Sequence, residues 1–284
     1  MNQLKERGMK IVFLIAACTS VLAVAFICIF LFANGIPAIG KIGVADFLLG
    51  ETWPSNDIYG ILPMILGSIY VTAGAIILGV PIALLTSVFL AYYCPKRMYP
   101  VLQSAVSLMA GVPSVVYGFF GLVMIVPTMQ QITGRDGSNM LTASILLAIM
   151  ILPTIVGVTE SAIRSVPGSY YEGSLALGAT HERSVFCAIL PAAKSGLIAG
   201  VVLGIGRAIG ETMAVIMVAG NQARMPAGLL RGIRTLTSNI VLEMGYAADL
   251  HREALIATGV VLFVFILIIN LAVSLLNRRA ENGN

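Results

Sequence analysis

The chain of 284 residues is 58% apolar and 11% charged, with a formal net charge of +4. A soluble domain of this length is ordinarily about 45–50% apolar and about 25% charged. These proportions exclude an ordinary soluble enzyme, a disordered chain and a nucleic-acid binder, and they indicate a polytopic protein surrounded by membrane lipid.

Six apolar segments are long enough to cross the hydrocarbon of a bilayer, which takes about 20 helical residues. They cover 11–33, 61–93, 99–126, 140–163, 196–220 and 254–276. The first is longer than the apolar part of a signal peptide, which has about 7–15 residues, so we expect it to be an uncleaved span. The sequence therefore predicts an all-α fold with six transmembrane helices, in one membrane domain over 1–284.

Six spans place both termini on one side of the membrane, and the basic residues that flank the spans indicate which side. The N-terminal tail, 94–98, 164–195 and the C-terminal tail together carry ten lysines and arginines, against six in the opposite loops. The positive-inside rule thus favours cytoplasmic termini.

Loop 221–253 is the exception, because it places four arginines on the opposite side. Its apolar residues recur at helical spacing, at Leu229, Ile233, Leu236, Ile240 and Met244. This pattern predicts a helix that lies on the outer membrane surface, docks a partner, or simply covers the end of the bundle.

The second segment is longer than one span requires. We expect a separate interfacial turn before it, marked by Gly60, Pro63 and Gly67, and a kink at Pro81. Proline removes a helical hydrogen bond and its ring clashes with the preceding turn, which is why a kink is expected there.

The third span is interrupted in its middle by Gly111-Val112-Pro113-Ser114. Proline lacks a backbone donor and disfavours helix at the residue before it. Irregular backbone at membrane depth is tolerated where it is buried in protein or lines a wet cavity. The sequence therefore predicts either a packing kink or a helix start whose free N–H groups meet an anion, with Ser114 and Tyr117 nearby.

The fifth span carries two charges, Arg207 and Glu211, on the same helical arc as Gly196, Gly200 and Gly204. Small residues at this spacing mark a close helix contact. An arginine at the bilayer centre costs about 2.5–3.5 kcal/mol, so we expect both charges to face the bundle interior or an aqueous path. They form either an ion pair that braces the bundle, or an anion contact or gate.

Two further groups have structural interpretations. Glu160 and Arg164 have the spacing of an ion pair at the cytoplasmic end of the fourth span. The four cysteines and two histidines suggest no disulfide framework and no metal site. No motif for ATP binding, metalloprotease or serine hydrolase chemistry occurs, so we expect no enzyme, no cofactor, and an energy source outside this chain.

The cytoplasmic segment 164–195 reads as two short helices around a turn. It resembles the coupling loop of ABC-importer permeases, whose pattern is E-A-A, three residues, G, nine residues, I-x-L-P. The residues that match in register are Glu172, Gly178, Leu190 and Pro191. Gly173 and Ser174 replace the two alanines, and Ala188 stands where isoleucine is expected.

Two further stretches narrow the resemblance. Residues 110–118, A-G-V-P-S-V-V-Y-G, and residues 206–215, G-R-A-I-G-E-T-M-A-V, are similar to the permeases of phosphate ABC importers, in particular the PstC kind. The resemblance implies a bacterial inner-membrane complex with a second permease of the PstA type, two ATPase subunits that bind the ATP, and a periplasmic phosphate-binding protein.

The resemblance also implies roles for particular residues. The phosphate path would be lined or gated by Arg207, Glu211, Thr212, Ser114 and Tyr117, and the 172–191 loop would carry the motion of the ATPases into the spans. Two alternatives remain open at this point: a permease for another oxyanion such as sulfate or molybdate, and an anion channel or purely structural membrane subunit.

Overall fold

The structure is a computed structural model that describes residues 2–53 and 58–282. The described residues form helices joined by loops, and Gly220 and Ile233 form an isolated backbone bridge. The helices are α1 (Asn2–Ile42), α2 (Val44–Leu49), α3 (Leu62–Val88), α4 (Tyr99–Gly111), α5 (Ser114–Phe120), α6 (Val126–Thr133), α7 (Met140–Ser165), α8 (Gly168–Ala176), α9 (His181–Ser184), α10 (Leu190–Ala192), α11 (Lys194–Gly210), α12 (Met213–Val218), α13 (Leu236–Glu243) and α14 (Asp249–Asn282). Three π-helical segments extend or join them: Phe89–Tyr93 after α3, Gly121–Ile125 between α5 and α6, and Val185–Ile189 between α9 and α10.

Within the described residues, five helical stretches are long and apolar enough to cross a membrane: Glu6–Ile42, Leu62–Tyr93, Ser114–Thr133, Met140–Ser165 and Asp249–Leu271. A sixth span results if His181–Ala192 and Lys194–Gly210, which meet at 71°, are counted together. The α11 part alone has 17 residues, because the helix ends at Gly210 instead of continuing to 220 as expected.

Helix α7 forms the centre of the bundle and packs against α3 on one side and α11 on another. Its apolar side chains, among them Leu146, Met150, Ile151 and Ile155, are buried. Small residues allow the neighbouring helices to approach closely, as at Gly74 of α3, where a Cβ would lie 2.4 Å from the Ser144 hydroxyl oxygen. Close packing through small residues is typical of helices that associate in a membrane.

Helix α3 differs from the expectation of a separate turn ahead of the second span. It begins at Leu62, with Pro63 in its first turn, and runs without a break through Gly67 and Pro81. Gly67 lies inside the helix because another segment passes against it: a Cβ there would be 2.4 Å from the backbone oxygen of Arg234. This glycine therefore permits a close contact instead of ending a helix.

The third span is interrupted at the predicted residues, but the interruption does not lie in the middle of the membrane-spanning helix as expected. Val112 and Pro113 are extended, with ψ of 127° and 143°. The long helix that follows runs over Ser114–Thr133 and ends at Gly134, which is left-handed at φ 64°. The break thus lies at the start of the long helix, not in its middle.

Loop 221–253 contains a shorter helix than its apolar spacing predicts. Between Leu229 and Met244 only Leu236–Glu243 is helical, because the preceding residues form backbone bonds to other segments. The Ile233 amide donates to the Ala219 carbonyl at 2.9 Å, and the Met140 amide donates to the Arg231 carbonyl at 3.0 Å. Helix α13 packs on α14, α3 and α12, so it covers one end of the bundle.

Helices α1 and α14 lie side by side in opposite directions. A Cβ on Gly35 of α1 would clash with Val260 of α14, and Lys41 near the end of α1 pairs with Glu253 near the start of α14 at 2.6 Å. The start of α1 and the end of α14 therefore lie at the same end of the molecule.

Candidate functional site

The glycines of α11 form the close helix contact that their spacing predicts. A Cβ on Gly196 would lie 2.2 Å from the Cβ of Ala162, one on Gly200 would lie 2.7 Å from the Thr159 hydroxyl, and one on Gly204 would lie 2.6 Å from Ile155. All three contacts are with α7. Helix α11 is thus held against the most buried helix of the bundle up to the turn that carries Arg207.

Helix α11 ends immediately before Glu211, and the carboxylate explains where α12 begins. Glu211 is extended, at ψ 129°. Its Oε1 accepts hydrogen bonds from the Thr212 amide at 3.1 Å and the Ala214 amide at 3.2 Å. These are amides that a new helix leaves unpaired at its start. The Thr237 hydroxyl of α13 donates to the Glu211 carbonyl at 3.2 Å, and this hydrogen bond connects the break to α13.

The ion pair that the i,i+4 spacing of Arg207 and Glu211 permits is not formed, because the helix breaks before the second residue. Arg207 is half-buried, and its Nη1 donates to the Thr154 hydroxyl of α7 at 3.2 Å. It makes no ion pair with a carboxylate among the residues that the structure describes. A half-buried guanidinium with donors to spare is suited to contact an anion.

The Tyr117 side chain bridges the break between α4 and α5. Its hydroxyl donates to the Met109 carbonyl at 2.9 Å, across the extended residues, and its side chain is buried. One residue further on, a Cβ at Gly118 would lie 2.9 Å from Ala214, so the helices that follow the two breaks pack together. Ser114 is half-buried at the start of α5.

Glu160 and Arg164 form the structural ion pair that their spacing in the sequence predicts. Arg164 Nε lies 2.8 Å from Glu160 Oε1, and its Nη2 donates to the Leu90 carbonyl at 2.7 Å. The guanidinium also lies over the Tyr99 ring at 4.5 Å. The buried Glu160 is thus neutralised, and Arg164 joins α7 to the segments around it.

The predicted coupling loop consists of α8, a turn, and the continuous helical run from α9 through the π-helical segment to α10. Gly178 forms the turn at φ +84°, a conformation that strains residues with a Cβ. The Ser174 hydroxyl donates to the Ser184 hydroxyl at 2.8 Å and holds the two halves together. Glu172 and Leu177 point outward, and the Leu177 side chain is 92% exposed.

The second half of this loop is anchored in the bundle. Val185 and Ile189 are fully buried in one cluster with Val88 of α3 and Ile163 of α7. Leu190 packs on the same cluster, and Pro191 stands in the first turn of α10, just before the 71° bend into α11. A displacement of the loop would therefore act directly on the ends of α3, α7 and α11.

The sequence interpretation missed a buried polar cluster at the opposite end of the molecule. Glu243 of α13 pairs with Arg234, and its Oε2 lies 2.8 Å from Trp53 Nε1 and 2.8 Å from His251 Nε2. Burial alone would raise the pKa of the Glu243 carboxyl, but the hydrogen bonds from Trp53, His251 and Arg234 outweigh it and hold that pKa below its ordinary value. The cluster ties three separate segments together.

Relatives with known names resemble nearly the whole chain. It is 38% identical over 283 residues to the probable ABC transporter permease protein YqgH of Bacillus subtilis strain 168, covering 94% of this chain and 91% of that one. It is 33% identical over 265 residues to the phosphate transport system permease protein PstC of Mesorhizobium japonicum, covering 86% and 81%.

Solved structures share the fold at low sequence identity. A bacterial alginate ABC transporter, crystallised with its pentasaccharide-bound periplasmic protein, matches with a TM-score of 0.65 at 16% identity, covering 93% of this chain and 94% of that one. The inward-facing MetNI methionine ABC transporter matches with a TM-score of 0.62 at 20% identity, covering 80% and 99%. The expected fold class, an all-α membrane protein of ABC-importer-permease type, is confirmed.

A family model also matches residues 79–282, a range that includes the broken helices, Arg207 and the loop around Gly178. Its description is that of the inner-membrane component of binding-protein-dependent transport systems. The match spans more than half of the chain, and the named relatives agree with it. The chain therefore belongs to the family of binding-protein-dependent transport system inner membrane components.

Proposed function

We propose that this chain is the PstC-type permease subunit of an ATP-driven phosphate importer. Membership of the family makes it a multi-pass protein of the inner membrane, working with ATPase subunits and a substrate-binding protein. The observation that carries the phosphate assignment is Arg207, a half-buried cation without a carboxylate partner in the described structure, in a chain whose relatives include proteins named as phosphate permeases.

The proposed path runs past the two broken helices. Arg207 contacts the anion, while Glu211 keeps its carboxylate on the amides of α12 and so does not neutralise the arginine. Thr212 and Ser114 supply hydroxyl groups beside the path. The hydrogen bond of Tyr117 to the Met109 carbonyl stabilises the backbone at the break before α5. Passage requires contacts weak enough to release the anion, so Arg207 acts as a transient contact.

The proposed orientation places both termini and the coupling loop in the cytoplasm. Helix α7 has 26 residues and so is about 39 Å long, with Arg231 bonded to its first residue and α8 following its last. The loop around Gly178 and the cluster around Glu243 thus lie at opposite ends of the bundle. The antiparallel α1 and α14 bring both termini to the end that carries the loop.

The proposed complex contains this chain, a second permease of the PstA type, two ATPase subunits and a periplasmic phosphate-binding protein. The ATPases close on binding ATP and push on the exposed face of the loop at Glu172 and Leu177. The buried half, with Val185 and Ile189, carries the movement into α3, α7 and α11. The path then opens alternately to the two sides of the membrane.

Purification of the chain with its native companions, followed by reconstitution into liposomes, tests this proposal. We expect ATP-dependent uptake of radioactive phosphate that requires the loaded binding protein. Excess sulfate or molybdate should not inhibit this uptake. Uptake of sulfate or molybdate in preference to phosphate would assign the chain to another oxyanion importer. Anion flux that is independent of ATP would identify a channel instead.

A further inference from the structure

A cavity at the end of the bundle opposite the coupling loop is lined by three arginines. Arg135 comes from the turn before α7, and Arg224 and Arg231 come from the loop that follows α12. The cavity has a volume of about 390 Å³ and also includes Asp136, Gln222 and Gly232. Side chains distant in the sequence thus converge on one space.

These three arginines lack the carboxylate partners that Arg234 and Arg164 have. Arg234, in the same loop, is paired with Glu243, and Arg164 is paired with Glu160. Arg135, Arg224 and Arg231 make no ion pair with any carboxylate that the structure describes, and Arg224 donates only to the Gln222 side chain. Asp136 uses one oxygen to accept from the Ser138 amide at 2.9 Å. With three cations and one carboxylate, the cavity is positively charged.

The backbone beneath the cavity is fixed. The amides of Met140 and Leu141, at the start of α7, donate to the carbonyls of Arg231 and Leu229, both at 3.0 Å. Gly232 leaves room for the Gln222 side chain, since a Cβ there would lie 2.8 Å from it. The amides of Met140 and Leu141 are therefore occupied, and the three guanidinium groups are the charged donors of the cavity.

The cavity is connected to the proposed path through α12. Glu211 and Thr212 precede this helix, and Gln222 follows it within four residues. Its six residues extend about 9 Å, so the cavity lies roughly one short helix further out than the break beside Arg207. Guanidinium groups bind the oxygens of phosphate-like anions in a planar, paired geometry.

We propose that Arg135, Arg224 and Arg231 form an oxyanion-binding entry site that receives phosphate before it reaches Arg207. This assignment rests on the proposed transport function and adds a second anion contact to it. A positively charged cavity concentrates anions at the mouth of a path and accelerates their capture. Such a site acts on the small anion itself, not on the docking of the binding protein.

The first test measures phosphate uptake by the reconstituted complete complex at increasing concentrations of loaded binding protein. The variant R135Q/R224Q/R231Q keeps polar side chains at three exposed positions, and Arg252→Gln, exposed in the first turns of α14, is the matched control. We expect the triple variant to lower the maximal uptake rate about tenfold, the low end of electrostatic steering, and the control to leave it unchanged.

Two results of this test would overturn the assignment. Unchanged uptake by the triple variant would show that the arginines do not serve the path. An unchanged maximal rate with a higher half-saturating concentration of binding protein would show a protein-docking surface. In the opposite direction, Asp136→Asn removes the carboxylate but keeps an acceptor for the Ser138 amide, and it should raise uptake at limiting phosphate.

The second test does not depend on transport. The complex in bilayers of phosphatidylcholine is treated briefly with phenylglyoxal, which modifies arginines. Mass spectrometry then measures the extent of modification of each arginine. Inorganic phosphate should slow modification of the three arginines and leave Arg252 unaffected, even if the complex proves to transport another anion. Absence of protection refutes the site. Protection by added phosphatidylglycerol without inorganic phosphate would identify a lipid headgroup as the ligand and also refute it.

Discussion

Gly200 of α11 lies against the Thr159 hydroxyl of α7, so closely that a Cβ on the glycine would be 2.7 Å from that oxygen. We expect Gly200→Val to force the two helices apart and to destabilise the fold by about 1–3 kcal/mol, as overpacking does. The measurement is the midpoint of thermal unfolding in detergent. Gly157→Val, on α7 itself, is the matched control, because a Cβ at Gly157 meets nothing within 4 Å. Equal destabilisation by both variants would contradict the prediction.

Arg207→Gln should abolish most phosphate uptake and leave membrane insertion and assembly intact. Hydrogen bonds to charged groups contribute about 1.5–3 kcal/mol, which corresponds to a loss of roughly 10–100-fold in transport rate. Uptake by the reconstituted complex provides the measurement, and co-purification of the companions shows assembly. Thr154→Val, which removes the hydroxyl that accepts from Arg207, should have a smaller effect. Normal transport by Arg207→Gln would remove this residue from the mechanism.

Gly178→Ala should weaken coupling between the ATPases and the permease. The left-handed backbone at φ +84° costs a residue with a Cβ about 1–2 kcal/mol, so the turn between α8 and α9 shifts. We expect less ATPase subunit to co-purify and less ATP hydrolysis per phosphate-loaded binding protein. Gly173→Ala is the control in the same loop, because that glycine is helical and has free space around it. Glu172→Gln tests the exposed carboxylate in the same assay.

Acid should release the cluster around Glu243. The pKa of this carboxyl is lower in the folded chain than its ordinary value of about 4.3, so its contribution to stability is complete above that pH and is lost as the pH falls through the folded-state pKa. Trp53, the one tryptophan of the chain, donates to Glu243 and reports the change through its fluorescence.

Glu243→Gln provides the comparison for the acid titration. The variant should show the acid form of the spectrum already at neutral pH and little further change below about pH 4. A fluorescence transition that persists unchanged in this variant would mean that another group near Trp53 titrates. Asp249→Asn, at the start of α14, controls for the loss of one acidic residue in the same region.

Much of the bundle follows from hydrophobic length and from small residues at regular spacing. The contacts of Gly196, Gly200 and Gly204 with α7 are those that their shared helical arc predicts. The turn at Gly178 is also where the coupling-loop pattern places it. These features depend on residues that are near in sequence, which is why a single sequence contains enough information to find them.

Features that depend on particular hydrogen bonds could not be predicted in the same way. The helical spacing from Leu229 to Met244 predicts one helix, but the carbonyls of Leu229 and Arg231 are bonded to the start of α7. Continuation of the fifth helix through Glu211 was expected from its apolar sequence, whereas the carboxylate turns back to bond two amides. In the first case hydrogen bonds to a distant helix outweigh periodicity, and in the second case a local hydrogen-bond arrangement does.

The cluster of Trp53, Arg234, Glu243 and His251 had only an indirect signal in the sequence. A lone tryptophan and an excess of charge in loop 221–253 are unusual in so apolar a chain, but neither identifies a partner. Tertiary contacts over as many as 190 residues create the cluster. Its existence explains why Arg234 of that loop is half-buried instead of lying on the membrane surface.

Helix α1 is attached to the remaining structure mainly along α14, and its residues 6–27 are exposed throughout. The family match begins only at residue 79, so this helix lies outside the part of the chain that the family model covers. In the proposed transport cycle, α3, α7 and α11 can therefore rearrange while α1 stays in place at the periphery of the bundle. Replacement of its lipid-facing half by an unrelated apolar helix is accordingly the change that the transport cycle should tolerate best.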